Sequence, residues 1–161
     1  FGFEPRLFLF GGGHVAEPTA QLANELGFRV KVFDDRVEWA NIERFPTAEI
    51  CNDDIIESAK RLDSSKRDYI ILMTPSHSID YKILTNIIDN EYHYLGVIGS
   101  QKKALEIKKE LTDDGFSKKQ IDRITCPIGI KIGSHTPMEI AISINAQLIQ
   151  IKNPKKHSII K

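Results

Sequence analysis

Cysteine and tryptophan are scarce in this sequence, with two cysteines and one tryptophan among 161 residues. Cys51 and Cys126 stand alone, which excludes a disulfide framework and a zinc site built on paired cysteines. Isolated thiols suit a reducing compartment, so we expect a cytoplasmic protein, and we assign no metal ligands. A sulfur carrier would need an accessible thiol of low pKa. We favour buried, unreactive thiols at both positions.

Long apolar runs and an excess of one charge are also missing. No run is long enough to cross a membrane, and no stretch has the form of a signal peptide. The 22 acidic residues balance 22 basic ones, so we expect neither nucleic acid nor a membrane as a partner. The basic stretch 151–161 is interpreted as a solvated tail. The chain begins at Phe1 rather than Met, so we expect an initiator or an upstream segment to have preceded it.

The most informative stretch is an apolar strand that runs into three glycines and then into a helix. Its pattern, Gly11-x-Gly13-x-x-Ala16, is the small-residue form of the dinucleotide-binding fingerprint. Gly11 permits a sharp turn, Gly13 lets a pyrophosphate approach the backbone, and Ala16 lets the helix pack on the sheet. The free N–H groups at the start of the helix would then bind phosphate. This cradle comprises Gly11, Gly12, Gly13, His14 and Val15.

An acidic residue follows the second predicted strand. Asp34 comes about 20 residues after the fingerprint, where a ribose 2′-hydroxyl is expected to bind. Asp34 favours NAD, whereas Arg36, two residues on, is suited to the 2′-phosphate of NADP, so both cofactors stay open. We assign Asp34, Asp35 and Arg36 to cofactor binding. The alternative is an α/β turn without a ligand, in which Asp34 only caps a loop.

The order of elements predicts a doubly wound α/β fold. Strands and helices alternate, which gives a mainly parallel, Rossmann-like sheet. We predict one NAD(P)-binding domain over 1–161, strand order 3-2-1-4-5, and a ligand crevice over strands 1 and 4. Predicted strands are 6–10, 28–33, 48–51, 69–73 and 92–97. Predicted helices cover about 14–27, about 53–62 and 136–151, and two more begin at caps, one at Ser76 or Ser78 and one at Ser100. A short helical turn is predicted at 117–120 and an extended segment at 126–133.

Several stretches together resemble one known family. They are Gly11–Ala16, Phe33–Arg36, Arg44–Pro46, Tyr94–Ser100, Pro127–Gly133 and Thr136–Ala141. They are similar to the C-terminal Rossmann domain of the XdhC/CoxI family, the xanthine dehydrogenase accessory proteins. The resemblance covers about Pro5 to Ile151. It implies a maturation factor that binds the molybdenum cofactor (molybdopterin), assists its sulfuration or insertion, and serves a molybdenum hydroxylase apoenzyme.

The sequence departs from the pattern of that family in two places. Family members commonly have Thr-His-Asp-His after the fourth strand, whereas this chain has Thr74-Pro75-Ser76-His77, so only His77 matches. The N-terminal domain of the family, with its cysteine, is not among the 161 residues.

Further candidate residues follow the fourth and fifth strands. We assign Thr74, Pro75, Ile98, Gly99 and Ser100 to cofactor binding. We assign His77 and Asp80 to proton transfer, with a structural role for them equally compatible with the sequence. Glu139 is interpreted as the acid of a helix capping box.

Three function classes stay open. They are a molybdenum hydroxylase maturation factor, a small NAD(P)-dependent oxidoreductase, and a nucleotide-sensing regulatory domain. We also expect a homodimer in which the last helix uses an exposed face of small residues, Ala141, Ser143 and Ala146. The alternative is that this helix only covers its own sheet.

Overall fold

The computed structural model describes residues 4–153. Strands and helices alternate along most of this range, as the sequence predicts. The strands are β1 Arg6–Phe10, β2 Arg29–Phe33, β3 Glu49–Cys51, β4 Tyr69–Leu72, β5 Tyr94–Val97 and β6 Ile124–Thr125. The helices are α1 Ala16–Glu25, α2 Ile55–Lys60, α3 His77–Ile87, α4 Gln101–Asp113, α5 Lys118–Ile121 and α6 Pro137–Lys152.

The six strands form one parallel sheet in the order β3-β2-β1-β4-β5-β6. The predicted Rossmann-like fold and the order 3-2-1-4-5 are therefore confirmed. Strand β6 was not predicted, because two residues show no hydrophobic period. The order reverses between β1 and β4, where Leu7 pairs with Tyr69 and Phe10 with Leu72. In such sheets a ligand binds at the carboxyl ends of the strands beside that reversal.

The sheet is buried on both faces. Along β1, Leu7 and Leu9 point to one face while Phe8 and Phe10 point to the other. Helices α1 and α6 cover the first face, and α2, α3 and α4 cover the second. This double covering explains why the central strands are continuous apolar runs.

The helix starts agree with most of the predicted caps. Ser76, rather than Ser78, caps α3, and Ser100 caps α4. Ser117 and Thr136 form the two predicted capping boxes, the second with Glu139. Helix α6 runs to Lys152, so the predicted tail begins with helical residues. Its remainder, 154–161, lies outside the described residues.

The predicted exposed face of small residues on α6 is wrong. Ala141 and Ser143 are buried within the same chain, and Ala146 is partly covered. Their helix packs against α1, with Ile144 and Leu148 in the core. The alternative, in which α6 covers its own sheet, is the arrangement observed. No helix within residues 4–153 is long and apolar enough to span a membrane.

Candidate functional site

The glycine turn lies at the reversal point of the sheet. Gly11 has φ +113°, and a Cβ there would lie 2.5 Å from the carbonyl oxygen of Met73. Only glycine fits this approach, because any other residue would strain the backbone and clash with it. The turn leaves β1 against the end of β4, since the N–H of Met73 donates to Phe10 O at 2.8 Å.

The turn presents free backbone donors. Within residues 4–153 the N–H groups of Gly13, His14, Val15 and Ala16 have no hydrogen-bond acceptor. A Cβ on Gly13 would have no atom within 4 Å, so the space beside it is open. Unpaired N–H groups at the start of a helix, with its positive dipole end, favour an anion. Phosphate binding by the predicted cradle stays a prediction, which these unpaired donors favour.

Arg44 binds the carbonyl groups of the glycine turn. Its Nη1 donates to the carbonyl oxygens of Gly12 and Trp39, and its Nη2 donates to Gly13 O at 3.1 Å. Its Nε donates to Glu17 at 3.1 Å. These bonds hold the carbonyl groups of the turn on the side away from the free N–H groups. The position of Arg44 in the stretch Arg44–Pro46 does not by itself predict this role.

Asp34 is buried, with 3% of its surface exposed, and lies beside the turn. Its carboxylate accepts from the backbone N–H of Gly12 at 2.8 Å and from the guanidinium of Arg36 at 2.9 and 2.7 Å. Burial alone would raise the pKa of Asp34, but the hydrogen bonds from Arg36 and Gly12 outweigh it and hold the pKa below its ordinary value. Asp34 therefore joins β2 to the turn.

The ring of Trp39 contacts two arginine side chains beside the turn. The guanidinium carbons of Arg36 and Arg44 lie 5.2 and 5.1 Å from the ring centroid of Trp39. The exposed ring of His14 meets Trp39 edge-on at 5.0 Å. Asp35, also assigned to the cofactor, is exposed beside this group.

A second polar group lies at the ends of β4 and β5. Asp80 is buried and accepts from the N–H of Thr74 at 3.0 Å and its hydroxyl at 2.7 Å. Lys103 Nζ donates to the other carboxylate oxygen of Asp80 at 2.8 Å. The stem of Lys103 lies across Gly99, where a Cβ would clash with it. Lys103 is a site residue that was not predicted; the available signal was its position one turn after the Ser100 cap.

The structure does not bring His77 and Asp80 together as an acid–base pair. His77 Nε2 lies 2.6 Å from Glu110 on α4, whereas Asp80 binds Thr74 and Lys103. Pro75 is exposed, Ile98 and Gly99 are half-buried, and the Ser100 hydroxyl accepts from the N–H of Lys103. Proton transfer by His77 or Asp80 stays a prediction.

Neither thiol is fully exposed. Cys51 lies 3.8 Å from the hydroxyl of Ser58, and Cys126 is half-buried. Burial raises the pKa of the Cys126 thiol, although the charge of Lys103 partly opposes this. A raised pKa is the opposite of what a sulfur carrier needs.

Comparison with known proteins identifies the family of this chain. The family model described as the XdhC Rossmann domain matches residues 7–148, which is most of the chain and includes the glycine turn. The chain belongs to the XdhC family. The predicted resemblance is thereby confirmed.

Two relatives of this chain are bacterial proteins. An uncharacterized protein, YqeB, of Escherichia coli K12 is 34% identical over 154 residues, which are 94% of this chain and 28% of that protein. A probable xanthine dehydrogenase subunit from Bacillus subtilis is 31% identical, over 92% of this chain and 43% of the relative. The chain therefore spans less than half the length of these relatives.

Two solved structures are similar to this chain. A xanthine dehydrogenase from Bacillus halodurans superimposes with a TM-score of 0.83 at 30% identity, over 97% of this chain and 45% of that one. An imine reductase from Bacillus cereus has a TM-score of 0.51 at 18% identity, over 92% of this chain and 60% of the other. The second likeness shows the fold alone.

Proposed function

We propose that this XdhC-type domain is an accessory factor for a molybdenum hydroxylase of the xanthine dehydrogenase type. In this role it binds a phosphate-bearing cofactor, either a dinucleotide or the molybdenum cofactor, and assists the sulfuration or insertion of the latter. The observation that carries the proposal is the row of unpaired N–H groups from Gly13 to Ala16 beside open space. Both cofactors carry a phosphate that these groups suit.

The partner in this proposal is the hydroxylase apoenzyme in the cytoplasm. The Bacillus subtilis relative supports it, because its description as a probable xanthine dehydrogenase subunit connects a homologous domain with such an enzyme. Since the chain covers only part of its relatives, the activity of the longer proteins is carried over as a proposal.

The residues of this chain would share the work of binding. The free N–H groups of the turn would hold the phosphate, and Arg44 would keep the turn in the shape that exposes them. Lys103, held by Asp80, would place a positive charge at the ends of β4 and β5, within the same crevice. A bound molybdenum cofactor would supply the metal and sulfur chemistry of the hydroxylase. The chain itself would bind and orient it.

Substitution at Gly13 tests the phosphate cradle. A Cβ at this position meets no atom within 4 Å, so Gly13→Ala and Gly13→Val should both fold. The larger valine should abolish binding of inorganic pyrophosphate, and alanine should weaken it less, as measured by calorimetry. Unchanged affinity in a folded Gly13→Val protein would remove the turn from the site.

Deletion of the gene in the source organism tests the accessory role. The hydroxylase should be made in normal amount but with low activity, and activity should return with the wild-type gene but not with Gly13→Val. Normal hydroxylase activity in the deletion strain, together with NAD(P)-dependent hydride transfer by the purified protein, would instead establish the oxidoreductase alternative.

A further inference from the structure

The carboxylate of Asp34 is saturated with internal hydrogen bonds. Oδ1 accepts from the backbone N–H of Arg36 at 3.0 Å and from its Nε at 2.9 Å. Oδ2 accepts from the N–H of Gly12 at 2.8 Å and from Arg36 Nη2 at 2.7 Å. An ionised carboxylate offers about four lone-pair sites. All four are in use, so none is left for the two hydroxyls of a ribose.

We propose that Arg36 determines the specificity of this site by occupying the ribose-binding acid. The turn then takes ligands that present a phosphate or pyrophosphate without seating an adenosine ribose on Asp34. This inference rests on the proposed function, because it concerns the ligand of the same glycine turn.

The segment after β2 also covers this side of the turn. A Cβ on Gly12 would lie 3.2 Å from the carbonyl oxygen of Trp39, so the two backbones are in close contact. Asn52 holds the segment down by donating to Asp34 O at 2.8 Å and to Ala40 O at 3.0 Å. The open space lies instead beside Gly13, whose own N–H has no acceptor within the described residues. A ligand can therefore reach the phosphate cradle while the Arg36 side chain occupies the hydrogen-bonding sites of Asp34.

Arg36 is a poor receptor for the 2′-phosphate of NADP. Its hydrogen bond to Asp34 raises its pKa most, and the charges of Asp35 and Glu38 raise the pKa further. Three carboxylates therefore lie around one guanidinium. A 2′-phosphate would bring more negative charge into this acidic surrounding, so the same geometry disfavours both dinucleotides.

The inference is tested by removing the side chain of Arg36. Arg36→Ala keeps both backbone donors to Asp34 but frees two of its four lone-pair sites. The affinity for ADP-ribose should rise about tenfold, the equivalent of about 1.4 kcal/mol, while that for inorganic pyrophosphate should change less than about threefold. Arg36→Lys, which keeps the charge but loses the bidentate contact with Asp34, should give a smaller gain in affinity for ADP-ribose. Arg29→Ala, at the exposed start of β2, is the matched control.

Tryptophan fluorescence and calorimetry provide the readout, because Trp39 is the single tryptophan and contacts Arg36. An unchanged or reduced affinity for ADP-ribose in a folded Arg36 variant would overturn the inference. In wild-type protein, ADP-ribose binding tenfold tighter than pyrophosphate would overturn it as well, even if both variants failed to fold. Loss of pyrophosphate binding in Gly13→Val is a separate result, so failure of the phosphate cradle is distinguishable from failure of the specificity argument.

Discussion

The ammonium of Lys103 lies 2.8 Å from the carboxylate of Asp80, which joins the first turn of α4 to the first turn of α3. Asp80 is 1% exposed, and the side chain of Lys103 is 19% exposed. The other oxygen of Asp80 accepts both donors of Thr74 at the end of β4. One carboxylate thus connects the end of β4 with the starts of α3 and α4, on the β4 side of the proposed crevice.

Removal of the positive charge from this pair should destabilise the fold. Lys103→Met leaves Asp80 buried without its cation, and loss of one partner of a buried pair costs about 3–5 kcal/mol. Urea denaturation of Lys103→Met, Asp80→Asn and the double variant should show that the second substitution adds little to the first. Lys109→Met, whose partner Asp113 is exposed, is the control and should change little. If the loss in the double variant equals the sum of the losses in the two single variants, the two residues are not coupled.

The free energy of unfolding at low pH should depend on Asp34. Its pKa in the folded protein is lowered, so its contribution to stability is complete above the unfolded pKa of about 3.9. That contribution is lost as the pH falls through the folded value. The difference in unfolding free energy between wild type and Asp34→Asn should therefore narrow as the pH falls from about 5 towards 3. A constant difference over this range would show that the pKa of Asp34 is not lowered in the folded state.

The sequence predicts the positions of these acids better than their partners. Asp34 is recognisable from its distance to the glycine turn, but its bond to Gly12 arises only when the end of β2 packs beside the turn. Lys103 is recognisable as a residue of the first turn of α4. Its contact with Asp80 is not, because it depends on how two helices that are separated by a strand are placed on the sheet.

The same limit explains the error on α6. A stripe of small residues permits close packing but does not say which element packs there. In this fold α6 packs against α1, and Ser143 lies against Gly129 and Ile130 of the preceding segment. The length of the helix and its capping box were predictable, because they depend on residues close together in the chain.

Helix α6 nevertheless exposes an apolar face suited to a second copy of the chain. Met138, Ile142 and Ile149 are 45%, 47% and 40% exposed and follow one side of the helix. If two α6 helices cross antiparallel at their middle, Met138 faces Ile149 of the other copy, and the two Ile142 side chains lie near the crossing point.

We therefore expect a homodimer through this face instead of the buried small-residue stripe. Ile142→Glu places a charge where the two helices would meet, so sedimentation should show a dimer in wild type and a monomer in this variant. Circular dichroism should show that the variant keeps its fold, because the side chain points away from the core. Leu105→Glu, at an apolar position 69% exposed on α4, is the matched control and should remain dimeric. A monomeric wild type, or a dimer that survives Ile142→Glu, would exclude this interface.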